Sequence, residues 1–249
     1  AGFGMAFRTM PYMFEQWGGA LSALAGMMWF GLLFFAGITS SLAMGTPWMG
    51  FMRDEFGFNR NKGALSFGLI VLIIGLPTVL IYNIATSGAV NSFVFDEYDY
   101  WAGTVSLVVF ALFETVLFVW VFGLTKGWKE INEGGDIKVP SFYKPIIKWV
   151  TPFLLISVFI GSLITPKDND WISAFKNGWE LDNSSIIKKI ANSGLKEQIA
   201  AATDPIEMAR LQTQLEYTNY ARILLLLLFA GICLMVYKAY LKRLKEGRN

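Results

Sequence analysis

Ala36, Thr39 and Ser40 are spaced i, i+3 and i+4, so in a helix they share one face. That face offers two hydroxyl oxygens and, where the backbone loosens, a carbonyl. A hard cation such as Na⁺ needs a cluster of such oxygens. One helix cannot complete the cluster. A second element with unwound carbonyls has to face it. The same residues also fit a plainer role. Membrane-helix Ser and Thr commonly donate back to the i−4 carbonyl or sit at a close helix contact, and Ala36 and Ser40 make a small-xxx-small pair.

The other chemistry-bearing residues are carboxylates. Asp96, Glu97 and Asp99 cluster within four positions, and Asp54 and Glu55 are adjacent. Asp99 fits a helix start, where water and the helix dipole both favour a negative charge. Glu114 stands alone in an otherwise uncharged run from Tyr100 to Thr125. An ionisable residue inside a span costs at least about 2.5 kcal/mol unless paired or hydrated. Glu114 is therefore either a proton-handling site coupled to function or a hydrogen-bonding strut.

Much chemistry is excluded outright. There is no His, which removes Ser-His-Asp triads, His-ligated zinc and imidazole proton shuttles. The single cysteine, Cys233, cannot form an intrachain disulfide, a CxxC pair or a thiolate zinc site. No cofactor is expected. A net charge of +2 is too small for a nucleic-acid partner. The acids have no nucleophile or metal-ligand set beside them, so the chain does not read as an enzyme.

The elements that carry these residues are apolar helices. Hydrophobic residues make up 54% of the 249, charged residues only 16%, and the mean hydropathy is +0.46. A soluble domain of this size carries about 25% charged residues. Crossing the hydrocarbon core takes about 20 apolar residues. Uncharged runs place five spanning helices near 19–47, 63–84, 101–125, 143–165 and 219–241. The runs are continuous rather than alternating, which argues against a β-barrel. The fold class is all-α integral membrane.

Basic residues set the orientation. Segment 53–62 carries Arg53, Arg60 and Lys62. Segment 126–148 carries Lys126, Lys129, Lys138, Lys144 and Lys148. The tail carries Lys238, Lys242, Arg243, Lys245 and Arg248. The positive-inside rule assigns these to the cytoplasm. Segments 1–18, 83–100 and 166–218 then lie outside. The setting is a plasma (inner) membrane, with residue 1 outside and the C-terminus inside. Five spans with this polarity, and a start at Ala1-Gly2-Phe3 without Met, suggest the C-terminal part of a longer protein.

Between the spans, a short helix is expected near 9–17. Asn183-Ser184 is expected to cap a helix over Ile186–Asn192, stopped by Gly194. Asp204-Pro205-Ile206-Glu207 has the signals of a helix start, and that helix is expected to run unbroken into the last span. Pro47 should kink the first span. Gly31, Gly37 and Gly45 read as packing positions. Trp48, Trp101, Trp128 and Trp149 read as an interfacial belt.

Several motifs resemble one family in order. Gly18-Gly19 followed by Leu33-Phe34-Phe35-Ala36-Gly37-Ile38-Thr39-Ser40-Ser41 resembles the eighth helix of the neurotransmitter:sodium symporters, and Asp54-Glu55 closes that helix. Asp96-Glu97-Tyr98-Asp99-Tyr100-Trp101-Ala102-Gly103-Thr104 resembles the start of the tenth. Trp128-Lys129-Glu130-Ile131-Asn132 and Lys138-Val139-Pro140 are similar to the loop after it. Trp149-Val150-Thr151-Pro152 is similar to the eleventh. The resemblance covers nearly the whole chain except about 168–216.

The resemblance implies helices eight to twelve of the twelve-helix inverted-repeat symporter fold, related to the bacterial leucine transporter. The first and sixth helices, broken in that fold, would lie in a missing N-terminal half. Phe7, Met10, Pro11 and Phe14 would belong to an extracellular lid. The carbonyl of Ala36 and the hydroxyls of Thr39 and Ser40 would bind Na⁺ as coupling ion. Ser40, Ser41 and Met44 would line the substrate pocket, with Met44 favouring an apolar side chain over an aromatic amine. Asp99 would be the extracellular gate carboxylate and Asp54 the intracellular one, each meeting an Arg outside this chain. Asp54 also fits an ordinary exposed charge at a helix end, pairing with Arg60.

The function so implied is sodium-coupled symport of amino acids or related small solutes by alternating access. Two other readings are a transporter of a neighbouring group with the same fold but different ions, and a non-transporting structural subunit of a membrane complex. Segment 166–218 is longer than the matching loop in compact bacterial relatives. It reads as a helical insertion that carries no chemistry, or as a partner-binding cap.

Overall fold

The computed structural model describes residues 5–80 and 93–247. The expected segment 83–100 lies outside the described residues up to position 92, as do residues 81–84 of the second expected span.

Among the described residues, five helices are long and apolar enough to cross a membrane. In chain order, α1 is Met10–Glu15, α2 Gly19–Phe56 and α3 Arg60–Leu80. Next come α4, Phe93–Asn132, and α5, Tyr143–Leu163. The polar segment then holds α6 (Trp171–Asn177), α7 (Ile186–Ala191) and α8 (Ser193–Ala201). The last helix, α9, is Pro205–Lys245. The chain divides into two compact units. One comprises Ala1–Ile74 with Val236–Asn249, the other Gly75–Met235.

In the first unit, α1 follows a π-helical turn over Met5–Thr9 and folds back on α2. Gly18 and Gly19, both with positive φ, make the reversal. Phe14 is buried against Trp17 and Trp29, and the Trp29 indole donates to the Ala6 carbonyl at 3.2 Å. The short helix expected near 9–17 is thus present, as Met10–Glu15.

The helix that carries the first expected span is longer than the span. Helix α2 runs on from 47 to Phe56, and α3 starts at Arg60 rather than 63. Low hydropathy marks where a helix leaves hydrocarbon, not where it stops. The stop is chemical. Gly57 takes the left-handed conformation, its N–H donates to Arg53 O, and Phe58 N–H donates to Met52 O at 3.1 Å, which satisfies the last carbonyls and closes the helix. The Asn59 carboxamide then accepts from the Lys62 N–H at 2.9 Å and starts α3. Pro47 sits inside α2 without ending it. Of the three glycines read as packing positions, Gly45 meets the Phe67 ring on α3, while Gly31 and Gly37 meet nothing nearby among the described residues.

In the second unit, α4 starts before its expected position and carries Asp96, Glu97 and Asp99 in its opening turns. Asp99–Val105 is π-helical. Ser106 answers the widened turn by donating its hydroxyl to the carbonyls of Trp101 (2.6 Å) and Ala102 (2.9 Å). The helix breaks at Gly123, where φ is 95° and ψ is 120°, two residues short of the expected end. Beyond the break the Phe118 ring lies against Gly127. Asn132 ends α4 by donating to Trp128 O and accepting from the Val139 N–H at 2.6 Å, so the two loop motifs are tied together. The Ser106–Val116 part of α4 packs on α5.

The polar segment is folded. Thr165 and Lys167 pair with Asp182 and Glu180 through backbone hydrogen bonds of 2.9 Å, closing a loop around α6. The Trp171, Phe175 and Trp179 rings stack edge-on within it. Asp170 caps α6, and hydrogen bonds from Ser173, backbone first, hold its carboxyl below the usual range. Asp182 is lowered by the hydroxyl and N–H of Ser184. Lys167 is raised by its hydrogen bond to Glu180.

Asn183 and Ser184 do not cap α7. Ser185, wholly buried, does so by accepting from Lys188 N, and Asn192 in the left-handed region ends the helix before Gly194. Asp182 draws Ser184 into its own turn, which leaves Ser185 at the cap. Helix α9 runs unbroken from Pro205 through the last span, as expected.

Apolar side chains point outward almost everywhere. At most 6% of each span's most apolar window is buried. Leu, Phe and Ile in such numbers require an apolar solvent or further helices around them.

Candidate functional site

Ala36, Thr39, Ser40, Ser41 and Met44 lie on α2, all exposed, within about two turns. Thr39 donates its hydroxyl to Phe35 O at 2.9 Å, with Ala36 O at 3.1 Å. That is the plain back-bonding geometry of a membrane-helix Thr. It also aims the proton at the backbone and leaves the oxygen lone pairs free to accept. No described residue of the chain covers this face. It can act only as half of a site.

Asp54 is also on α2, about 22 Å farther along the axis than Thr39. It pairs with Arg53 at 2.9 Å rather than with Arg60, and its side chain is 59% exposed. Its neighbour Glu55 is the buried acid. The Glu55 carboxylate accepts from Arg243 Nε at 3.1 Å and from Arg243 Nη2, and the Glu55 backbone carbonyl accepts from Lys242 Nζ at 2.7 Å. Two cations of α9 thus close the negative end of α2.

The same pattern recurs on α4. Asp99 opens the π-helical turn, with its carboxylate Oδ1 3.1 Å from the position a β-carbon on Gly103 would take. Absence of a side chain at Gly103 lets that carboxylate lie along the helix. Glu97, two residues earlier, is the buried acid. It accepts from Trp101 Nε1 and from Arg222 Nε, both at 2.8 Å, with Lys189 Nζ 3.9 Å away. Glu114, four turns beyond Asp99, is exposed and makes no hydrogen bond or ion pair among the described residues. Its partner, if it has one, is not in this chain's described part.

Sequence reasoning singled out Asp54 and Asp99 and passed over Glu55 and Glu97. One signal was present. Met52 and Glu55, and Val94, Glu97 and Trp101, share helix faces by i, i+3 and i+4 spacing, and each face holds a buried apolar residue.

Five long apolar helices among the described residues define a multi-pass membrane protein. The chain belongs to the sodium:neurotransmitter symporter family, whose model matches residues 1–188. That family is one of transporters and not of enzymes. An uncharacterised sodium-dependent transporter of Methanocaldococcus jannaschii is 29% identical over 157 residues, 63% of this chain and 30% of the relative. The sodium-dependent nutrient amino acid transporter 1 of Drosophila melanogaster is 27% identical over 166 residues, 66% of this chain and 24% of the relative. That of Drosophila grimshawi is 26% identical over 165 residues, covering 66% and 24%. The chain therefore spans about a quarter to three-tenths of the length of these relatives.

Proposed function

We propose that the chain is one wall of a sodium-coupled symporter for amino acids or related small solutes. In this reading its five long helices are helices eight to twelve of the twelve-helix fold. The observation that carries it is the exposed stripe on α2. Thr39 donates its hydroxyl proton to the backbone and so keeps its oxygen able to accept, and Ala36 and Ser40 flank it on the same exposed face. A hydroxyl so arranged is an acceptor waiting for a cation, and the family supplies the identity of that cation. The three relatives are named as sodium-dependent, and two of them as nutrient amino acid transporters.

Sodium and substrate are cargo. The carbonyl of Ala36 with the hydroxyls of Thr39 and Ser40 would hold Na⁺, completed by carbonyls of an N-terminal half outside this chain. Ser40, Ser41 and Met44 would face the substrate side chain. Asp99 would close the outer side and Asp54 the inner side, each against an arginine of that half. The apolar outward faces of the spans suit both lipid and those further helices. The basic segments 53–62 and 126–148 and the tail would face the cytoplasm of a plasma (inner) membrane.

The test is uptake of radiolabelled amino acids into proteoliposomes holding the complete protein, with and without an inward sodium gradient. Gradient-driven accumulation is expected. Accumulation that is unchanged when choline replaces the external sodium would refute the coupling.

A further inference from the structure

We infer that the polar segment between α5 and the last span, together with the first turn of that span, is a clamp that positions the gate end of α4. This rests on the reading of Asp99 as a gate carboxylate. The first nine residues of α4 are gripped from one side by residues 184–222. Glu97 is 6% exposed and takes hydrogen bonds from Trp101 and Arg222 at 2.8 Å. Arg222 also lies 5.4 Å over the Trp101 ring, and its Nη1 donates to Ile190 O at 3.3 Å. Lys189 approaches Glu97 and stands 4.9 Å over the Tyr100 ring. The Tyr100 hydroxyl donates to Ser184 O at 3.2 Å, and Phe93 meets Tyr217.

Asp99 sits between the two gripped positions, Glu97 and Tyr100–Trp101, on the same turn. Its backbone cannot shift without breaking one of these contacts. Arg222 is committed to this arrangement. Its Nη2 is buried without a partner among the described residues, a cost offset by the contacts with Glu97, Ile190 and Trp101. The segment is therefore not a passive insertion. Glu97 and Arg222 are positioning residues that hold the gate carboxylate through the turn it stands on.

The experiment is hydrogen exchange on the complete protein in nanodiscs, paired with uptake kinetics in proteoliposomes. Glu97→Gln is expected to raise exchange of residues 93–105 and 186–198 together, by about tenfold, the scale of a lost buried charge-assisted bond. Arg222→Met should do the same, and the double variant should add little. The milder Tyr100→Phe, which removes one bond and keeps the ring, should give a smaller rise over the same residues. It covers the case in which the first two variants do not fold. Half-saturating substrate concentration should change in Glu97→Gln in the same direction as in Asp99→Asn. Unchanged exchange, additive effects, or altered exchange with unchanged half-saturation while Asp99→Asn shifts it, would each overturn the proposal. An inert Asp99→Asn would instead bring down the gate reading, and the clamp would then stand or fall on exchange alone.

Discussion

Arg243, near the end of the last helix, embraces the carboxylate of Glu55, 188 residues earlier, through both Nε and Nη2. Glu55 is nearly buried, whereas Arg243 keeps more than half its side chain in contact with solvent. Water therefore screens the pair, and its contribution is nearer an ordinary charge-assisted hydrogen bond than a buried ion pair. The basic tail is thus not only a topological signal. It ties chain end to helix end, with Lys242 serving the terminal carbonyl.

From that pair, Glu55→Ala should destabilise the packing of residues 236–246 by about 1–2 kcal/mol. Limited proteolysis at Lys242, Arg243 and Lys245 reads it directly. Cleavage should accelerate much more in Glu55→Ala than in Asp54→Ala, because Asp54 makes its ion pair with its neighbour Arg53 and acts on Arg243 only as a weaker, more distant charge.

Thr39→Val removes an oxygen and keeps the shape. In the complete protein it should raise the sodium concentration for half-maximal uptake by about tenfold, the scale of one lost polar contact. Helix stability should be unaffected, since the lost bond is a local donation to Phe35 O. Unaltered sodium dependence would remove Thr39 from the site.

Glu114 finds no partner within the described chain, so its role depends on a neighbouring helix. If it is a strut, Glu114→Gln retains hydrogen-bonding capacity and should support wild-type uptake from pH 6 to 8, whereas Glu114→Leu should not. Uptake that loses its pH dependence in Glu114→Gln would mark it as a proton-handling group instead.

The loop around α6 should have a broad pH plateau. Asp170 and Asp182 are held below their ordinary values, so their contribution is complete above about pH 4, the unfolded carboxylate value, and is lost as pH falls through the lower folded values. Lys167 is raised, so its contribution is complete below about pH 10 and is lost as pH rises through the folded value. Intrinsic fluorescence of Trp171 and Trp179 should stay constant between these limits and change outside them. A transition near neutrality would contradict the assignment.

The five spans were legible because hydrocarbon admits few charges, and the sequence keeps charges out of long runs. Their ends were not, because Gly57, Asn59 and Gly123 stop or break helices through backbone geometry that hydropathy does not register. The candidate stripe on α2 was legible from spacing alone. The buried acids were not, because burial depends on a partner. Arg222 is 125 residues from Glu97 and Arg243 is 188 from Glu55. Both arginines lie beyond residues 1–188, the part of the chain that matches the family model. The cap of α7 was missed by one or two residues because Asp182 competes for Ser184.

Helix α9 has one more consequence. Its 41 continuous residues amount to about 60 Å, twice the thickness of the hydrocarbon core. Roughly half of this rod must stand in water. A spin label or antibody fragment seated near Met208, about 16 Å along the helix before the expected span at 219–241, would therefore report the tilt of that helix.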